Sequence, residues 1–370
     1  MQLLMNNSKQ KKVVIGLSGG VDSSVAAKLL LEQGYNVIGV FMHNWEENDD
    51  CSPGGCNSST DWQDALAVAQ KLKIPLYSVN FVKDYMERVF SYFLDEYKKG
   101  RTPNPDVLCN REIKFGPFLS KAKELGADFI ATGHYCGISH EGGDIRLLKA
   151  VDTDKDQTYF LNQVTTSQLS NTLFPLAKLK KPEIRAIADS LGLVTAKKKD
   201  STGICFIGER KFKEFLSTYL PATPGDIVDT NGKILGHHDG LMYYTYGQRK
   251  GFGIGGVSGE SQNRWYVVKK DLSKNHLIVS NGEGEELFNN SLVSNCINYI
   301  GTFDVLPEYR ATAKCRYRQP DMPCTVRTNL SSGKTTVIFD KPQRAITEGQ
   351  YVVLYNDQRC LGGGVIEGVI

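Results

Sequence analysis

The pattern of hydrophobic and polar positions divides the chain into two parts. In the first 200 residues, the apolar runs KKVVIGL, NVIGVFM, IPLYSVN and DFIATGH alternate with amphipathic stretches of helical period. These stretches predict helices over residues 22–33, 61–72, 82 to about 99 and 111–125. Strands that alternate with helices are typical of a parallel sheet covered on both faces. We therefore predict an α/β, Rossmann-like first domain.

After about residue 213, short apolar runs are separated by Gly, Asn-Gly and Asp-Gly turns, which favours antiparallel β structure. From about residue 281, the runs KCRYRQ, CTVRTNL, KTTVIFD and QYVVLYN predict strands of a small antiparallel β-barrel. We thus expect an α/β domain over residues 9–212, a small β-rich connector over 213–280 and a C-terminal β-barrel over 281–370.

Composition supports a soluble globular protein, since 41% of the 370 residues are hydrophobic and 23% are charged. No apolar run approaches the roughly 18 residues that span a bilayer, and the polar start MQLLMNNSKQKK does not resemble a secretory signal. The nine cysteines, an odd number, are scattered along the chain and indicate reduced thiols, not a disulfide scaffold. We expect a cytoplasmic protein with no membrane partner.

The distribution of charge is more informative than the net charge of +3. Residues 44–64 carry six acids and no base, whereas residues 178–213 carry ten Lys/Arg and four Asp/Glu. The basic stretch has two interpretations, a solvated helical face or a surface that faces a polyanion. Charge alone leaves both open.

The segment IGLSGGVDSS follows the first predicted strand and leads into a helix. Gly19 and Gly20 permit close approach of the backbone to a phosphate, and the helix that follows directs its N–H groups at the anion. Ser18 and Ser23 add hydroxyl donors. The carboxylate of Asp22 is unfavourable beside a phosphate unless it caps the helix or reaches Mg²⁺.

Two further segments end at the same edge of the predicted sheet. Met42 lies at the end of the second strand, and Gly133 follows DFIAT. Ligands of open α/β sheets bind beyond the carboxyl ends of the strands. The Lys-Ser/Thr that closes a Walker A loop is missing, so transfer of the γ-phosphoryl group is not the favoured chemistry.

Two cysteines lie in electropositive sequence surroundings. Cys109, in GRTPNPDVLCNREIKF, is expected just before a helix with Arg111 and Lys114, a setting that favours a thiolate. Asp106 in the same segment can act as acid or base toward a nearby substrate. Cys205, in KKKDSTGICFIGERKF, follows three lysines.

The other cysteines are interpreted more simply. A lone cysteine is usually a small buried hydrophobe, and that is the expectation for Cys136, Cys296, Cys315, Cys324 and Cys360. Cys51 and Cys56 are separated by four residues and have no His/Cys pair at zinc-finger spacing, so we interpret them as part of a loop. We expect no protein-held metal site.

SGGVDS resembles the PP-loop of the ATP pyrophosphatases, which cleave ATP between the α and β phosphates and adenylate an oxygen of a substrate. The whole set GLSGGVDSS, FMHNW, GRTPNPDVLCNREIKF, ATGHY, DKDQTYFL, DSTGICFIGERKF, YGQRKG and RYRQ is similar to tRNA-specific 2-thiouridylases over nearly the full chain. The departure from the family pattern is DDCSPGGCNSS, where both cysteines look peripheral.

The resemblance implies ATP, accompanied by Mg²⁺, and ATP-dependent 2-thiolation of a wobble uridine by a PP-loop catalytic domain. It implies that Cys109 is the nucleophile and that Cys205 carries a persulfide sulfur, which a desulfurase or relay protein supplies. It further implies tRNA as partner, with lysine, glutamate and glutamine acceptors. The implied ATP contacts are Gly16, Leu17, Ser18, Gly19, Gly20, Val21, Asp22, Ser23, Met42 and Gly133. The implied target-base contacts are Asn104, Pro105 and Asp106, and the implied tRNA contacts are His134, Lys155, Asp156, Gln157, Arg316, Tyr317 and Gln350.

Two alternatives share part of this pattern. An ATP-dependent C–N ligase also carries an SGG-type loop, but it needs an amine supply and not two electropositive cysteines. A nucleotide-gated RNA-binding protein would bind tRNA tightly without forming AMP.

The missing Walker lysine and the Gly19-Gly20 turn predict the products of ATP cleavage. Turnover with tRNA and a sulfide source should yield AMP and pyrophosphate, which chromatography of the nucleotides and a pyrophosphate assay would measure. ADP and phosphate as products would contradict the PP-loop interpretation.

Overall fold

The computed structural model describes residues 10–45, 58–200, 212–251, 253–254 and 264–370. Cys51, Cys56 and Cys205 lie outside these residues.

The first part of the chain contains a parallel sheet with the strand order β3-β2-β1-β4-β7. The β-branched and apolar runs at its centre are buried because helices cover both faces. The strands are β1 (Lys12–Gly16), β2 (Asn36–His43), β3 (Leu76–Asn80), β4 (Phe129–Ala131) and β7 (Thr172–Leu173). The predicted α/β fold class is therefore confirmed.

The helices of this part connect the strands and line their carboxyl ends. Two of them run into single π-helical turns, at Met86–Phe90 and at Asn110–Lys114. The helices are α1 (Val21–Glu32), α2 (Ser58–Leu72), α3 (Val82–Tyr85), α4 (Ser91–Lys98), α5 (Pro105–Cys109), α6 (Pro117–Glu124), α7 (Thr166–Leu169), α8 (Lys181–Ser190) and α9 (Phe212–Ser217).

A hairpin from the first part of the chain extends the C-terminal sheet. Its strands β5 (Cys136–Ser139) and β6 (Arg146–Lys149) pair with each other, and β6 then pairs with β18, with Leu147 opposite Cys360. The sheet is antiparallel, in the order β19-β12-β16-β15-β14-β17-β18-β6-β5 with β13 beside β18. Its other strands are β12 (Phe288–Ser294), β13 (Asn298–Tyr299), β14 (Glu308–Lys314), β15 (Met322–Thr328), β16 (Thr335–Arg344), β17 (Tyr351–Asn356), β18 (Arg359–Val365) and β19 (Gly368–Val369).

Between these parts lies a smaller β-rich region with its own apolar core around Ile227, Val267 and Leu277. Its strands form a sheet in the order β10-β11-β8-β9. They are β8 (Gly225–Asp229), β9 (Ile234–His238), β10 (Trp265–Asp271) and β11 (His276–Asn281). The predicted sequence of an α/β domain and two β-rich domains is confirmed, whereas the exact domain boundaries stay predictions.

Three local expectations were wrong. The helix expected over residues 111–125 begins earlier, at Pro105, and a separate helix starts at Pro117. The run KCRYRQ is not a strand beyond its first residue, because β14 ends at Lys314 and residues 315–318 form a turn. Cys296 is exposed, whereas Cys136, Cys315, Cys324 and Cys360 are buried as expected.

Within the described residues, no helix is long and apolar enough to cross a membrane.

Gly133 provides a test of how closely β4 approaches the loop after β1. A Cβ atom at Gly133 would lie 2.8 Å from the backbone nitrogen of Ser23, which cannot move without shifting α1. We expect Gly133→Ala to lower the free energy of unfolding by about 1–3 kcal/mol, the usual cost of overpacking, as measured by urea denaturation. Gly236→Ala is the matched control, since a Cβ there would meet no atom within 4 Å. Equal stability of Gly133→Ala and the unsubstituted protein would contradict this.

Candidate active site

The loop between β1 and α1 is shaped by close backbone packing. Gly19 adopts φ +71°, and a Cβ there would lie 2.2 Å from the carbonyl oxygen of Asp61 in α2. The N-cap residue of α1 is Gly20, so no side chain caps the start of the helix. The positive end of the α1 dipole therefore lies next to a glycine turn, an arrangement suited to an anion.

The serines of this loop have different positions. Ser18 is exposed, and its hydroxyl lies 3.2 Å from that of Ser23. Ser23 is buried; it accepts a hydrogen bond from the Ser18 N–H at 3.2 Å and donates one to the Gly20 carbonyl at 3.2 Å. Ser18 is thus available to a ligand, while Ser23 holds the turn in shape.

The Asp22 side chain does not cap α1 but is bonded to two other side chains. Its carboxylate lies 2.7 and 2.8 Å from the Lys181 ammonium, and it accepts a hydrogen bond from the Tyr135 hydroxyl at 2.6 Å. The unfavourable acid in the loop is therefore paired with a lysine that lies about 160 residues further along the chain.

Met42 and Gly133 lie on either side of the loop, as the shared edge of the sheet predicts. A Cβ at Gly16 would lie 3.1 Å from the Met42 Cε atom, and Gly133 packs against the backbone of Ser23. Their contact with ATP stays a prediction.

The segment that carries the implied target-base residues is fixed from two sides. Asn104 caps α5, because its side-chain oxygen accepts from the Val107 N–H at 3.4 Å, and Pro105 takes the first helical position. From the C-terminal sheet, the Gln350 amide nitrogen donates to the carbonyl oxygen of Thr102 at 2.8 Å. The Asn104 amide in turn lies 3.5 Å from the Gln350 side-chain oxygen.

Asp106 and Cys109 lie three residues apart in α5 and so share one face of the helix. Burial raises the pKa of Asp106, although the positive charge of Lys114 opposes this shift. Cys109 is only 4% exposed and belongs to the main apolar core. The expectation that Cys109 precedes a helix was wrong: it ends α5 and continues into a π turn, so the helix dipole does not favour its thiolate.

One cavity of about 880 Å³ joins these features. Its walls come from the loop after β1, from the start of α5, from the segment before residue 201 and from the C-terminal sheet. The lining residues that the sequence predicted are Ser18, Gly20, Val21, Asp22, Asn104, Asp106, Lys155, Gln157, Tyr317 and Gln350. The structure thus brings three predicted groups of residues, for nucleotide, base and tRNA, to one space.

Two of the implied tRNA contacts are buried instead. His134 hydrogen bonds with the Thr132 hydroxyl at 2.7 Å, and burial together with Lys114 holds its pKa well below the usual value, so the ring is neutral. Asp156 accepts from the Ala150 N–H at 3.0 Å and from the Thr158 hydroxyl at 2.6 Å. These contacts give both side chains a structural role in this conformation.

Arg316 and Arg318 point to different surroundings. The Arg316 guanidinium donates to the carbonyl oxygens of Tyr246 at 3.1 Å and Ala345 at 2.7 Å, and thereby ties the central region to the C-terminal sheet. Arg318 is exposed and lines the cavity next to Tyr317, whose ring centroid lies 4.4 Å from that of Phe160. The sequence predicts phosphate contacts from the whole Arg316-Tyr317-Arg318 stretch, and the resemblance implies Arg316 as the tRNA contact. Of the two arginines, it is Arg318 that lines the cavity.

Lys198, which the sequence analysis noted only as one of the three lysines before Cys205, has a specific role in the loop after β1. Its ammonium donates to the Gly19 carbonyl oxygen at 3.0 Å and to Asp61 at 2.6 Å, and it also pairs with Asp64. Burial alone would lower the pKa of Lys198, but the two carboxylates outweigh it and raise the pKa. Lys198 therefore stays charged and clamps the glycine turn to α2.

A glycine turn between a parallel strand and a helix, below a polar cavity at the carboxyl edge of the sheet, defines a nucleotide-binding α/β enzyme domain.

Three family models match consecutive parts of the chain: a tRNA methyl transferase HUP domain over residues 11–209, a tRNA methyl transferase PRC-barrel domain over 213–281, and an aminomethyltransferase beta-barrel domain over 290–366.

Curated relatives narrow this class. The protein named tRNA-specific 2-thiouridylase MnmA in Exiguobacterium sibiricum is 55% identical to this chain, over 97% of this chain and 94% of that protein. The protein of the same name in Proteus mirabilis is 54% identical, over 98% of this chain and 99% of that protein. A further one in Pseudomonas syringae pv. syringae is 54% identical over 98% of this chain and 96% of that protein. The chain belongs to the tRNA-specific 2-thiouridylase (MnmA) family.

The two arginines of the 315–318 turn give opposite expectations for tRNA binding. Arg318→Ala should weaken binding and flatten the log–log salt slope by about one, the effect of one lost phosphate contact. Arg316→Ala should leave that slope unchanged and lower the free energy of unfolding by about 1–3 kcal/mol, because buried carbonyl acceptors lose their donor. Filter binding at several salt concentrations and urea denaturation measure the two effects. A flattened slope for Arg316→Ala would instead support the tRNA contact that the resemblance implies for Arg316.

Proposed function

We propose that the chain catalyses ATP-dependent 2-thiolation of the wobble uridine of tRNA, through adenylation of the C2 oxygen and transfer of sulfur from a cysteine persulfide. The observation that carries the proposal is that one cavity is lined by the glycine loop, by Asn104 and Asp106, and by Lys155 and Tyr317. A nucleotide on the loop and a base beside α5 would share that space.

ATP serves to make a poor electrophile reactive. The C2 carbonyl of uridine has a poor leaving oxygen, and attack of that oxygen on the α-phosphorus attaches AMP and releases pyrophosphate. The glycine turn and the start of α1 then hold the pyrophosphate as it leaves.

Mg²⁺ would enter as part of the nucleotide substrate. Among the residues that the structure describes, no cluster of three or more His, Cys, Asp or Glu side chains could hold a metal ion. Asp61 and Asp64 already pair with Lys198. This arrangement fits an ion that the polyphosphate carries better than one that the protein holds alone.

Asp106 is suited to proton transfer at the base. Its raised pKa brings the carboxyl closer to neutral pH than an exposed aspartate, which strengthens it as a base. Taking up the N3 proton of uridine would increase the negative charge on the C2 oxygen as that oxygen attacks ATP.

The sulfur step uses two cysteines, and its electrons balance in either of two orders. The terminal sulfur of a Cys205 persulfide attacks C2 and expels AMP, after which the Cys109 thiolate attacks the Cys205 sulfur and releases 2-thiouridine. Alternatively, Cys109 attacks first and the released sulfide displaces AMP. Both orders end with a Cys109–Cys205 disulfide, which an external thiol must reduce.

Cys109 must become accessible for either order. It is buried one turn below Asp106, so we infer that α5 or its neighbours shift when tRNA binds. The sulfur donor would be a desulfurase or a relay protein that delivers a persulfide, and the proposed acceptors are lysine, glutamate and glutamine tRNAs.

The experiment is thiolation of unmodified tRNA by the purified protein with ATP and a persulfide donor, followed by mass spectrometry of the nucleosides. We expect 2-thiouridine from the unsubstituted protein and none from Cys109→Ser or Cys205→Ser with that donor. Cys109→Ser should still accept sulfur, whereas Cys205→Ser should not, because only Cys205 carries the persulfide.

Peptide mapping after one turnover without reductant should find Cys109 joined to Cys205. Cys296→Ser is the control, since that cysteine is exposed and belongs to the C-terminal sheet region. A methylated nucleoside as product would contradict the proposal and favour a tRNA methyltransferase. Normal thiolation by Cys109→Ser would exclude the two-cysteine step, and product formation by Cys205→Ser from an amine would favour a C–N ligase.

A further inference from the structure

Lys181, the first residue of α8, is only 8% exposed and contacts two acids that line the cavity, Asp22 and Asp200. Its ammonium has three N–H donors, and three carboxylate oxygens surround it. Two belong to Asp22, at 2.7 and 2.8 Å, and the third belongs to Asp200, at 2.8 Å. The ammonium therefore has no donor left for a phosphate.

Asp22 is held by a second donor as well. The Tyr135 hydroxyl donates to it at 2.6 Å. Burial, the hydrogen bond to Asp22 and the negative charge of Asp22 all raise the pKa of Tyr135, so this hydroxyl keeps its proton. The Asp22 carboxylate thus accepts three hydrogen bonds from Lys181 and Tyr135, which fix it in place.

Asp200 is compensated from the other side. It pairs with Lys155 at 2.6 Å and with Arg185 at 2.9 Å. Burial would raise the pKa of Asp200, but hydrogen bonds from Lys155 and Lys181 outweigh it and lower the pKa to about 2. The carboxylate therefore stays ionised at neutral pH.

The charges around Lys181 are balanced. A third carboxylate, that of Asp152, accepts from the Lys181 backbone N–H at 2.8 Å. Asp22, Asp200 and Asp152 are matched by the cations of Lys181, Lys155 and Arg185. Loss of the Lys181 charge alone would leave one net negative charge beside the loop after β1.

We propose that Lys181 is a positioning residue for the nucleotide: it neutralises Asp22 and holds it in place, so that α1 presents its N–H groups to a polyphosphate without a competing carboxylate. This inference rests on the proposed function, since it assumes that ATP binds to that loop. Lys181 acts through Asp22 and does not itself touch the phosphates.

The test compares binding of α,β-methylene ATP to Lys181→Met, Asp22→Asn and the double variant, by calorimetry, with and without Mg²⁺. Lys181→Met should bind about tenfold more weakly, the effect expected of one uncompensated charge a few ångströms from the phosphates. The double variant should bind within about twofold of Asp22→Asn, because the two effects depend on one contact and do not add. A merely structural role of Lys181 would not produce this rescue.

Lys149→Met is the matched control. The Lys149 side chain is 12% exposed, close to the 11% of Lys181. Its ammonium pairs with Asp321 and donates to the Asp357 carbonyl at 2.9 Å, but it has no ion pair with Asp22. It should bind the analogue like the unsubstituted protein.

The outcomes separate the two proposals. A double variant that binds no better than Lys181→Met would overturn the role of Lys181. Absence of binding to the unsubstituted protein would instead overturn the assignment of ATP to the loop. If Lys181→Met does not fold, Asp22→Asn decides: without Mg²⁺ it should bind the analogue at least as tightly as the unsubstituted protein, and weaker binding would overturn the inference.

Discussion

The cavity depends on one contact between distant parts of the chain, in which residues 348–350 hold the segment that leads into α5. The Thr102 N–H donates to the Glu348 carbonyl at 3.0 Å, and Gln350 donates back to the Thr102 carbonyl. A Cβ at Gly349, where φ is +86°, would lie 3.0 Å from the Thr102 carbonyl oxygen. A residue without a side chain is suited to this approach, which holds the segment that leads to Asn104 and Asp106 in the cavity wall.

Charge compensation is the second constraint, because the cavity collects carboxylates as well as cations. Lys198 is shared by Asp61, Asp64 and the Gly19 carbonyl, and Lys181 is shared by Asp22 and Asp200. Removing one partner of such a buried ion pair lowers the free energy of unfolding by far more than the intact pair contributes to it. These lysines therefore set the shape of the site through the acids that they hold.

Sequence reasoning succeeded where the chain follows a local period and failed where partners are distant. The strands and helices of the first 100 residues lie close to their predicted positions, because apolar period and glycine stops are local signals. The basic stretch 178–213 shows the limit. Neither a solvated face nor a polyanion-facing surface describes Lys181 and Lys198, which are paired with acids 159 and 137 residues away. The β5–β6 hairpin was missed because its strands are short and their partner, β18, lies near the end of the chain.

That hairpin ties the order of folding to the order of synthesis. β6 leaves the ribosome about 200 residues before β18, so its outer edge stays open until β18 has emerged. An open strand edge is a template for pairing with another chain, and contacts between residues so far apart in sequence close slowly. The cavity has Gln350 in one wall, so it can form only after that residue has left the ribosome. Until β18 follows, the edge of β6 is exposed to other nascent chains on the same messenger RNA.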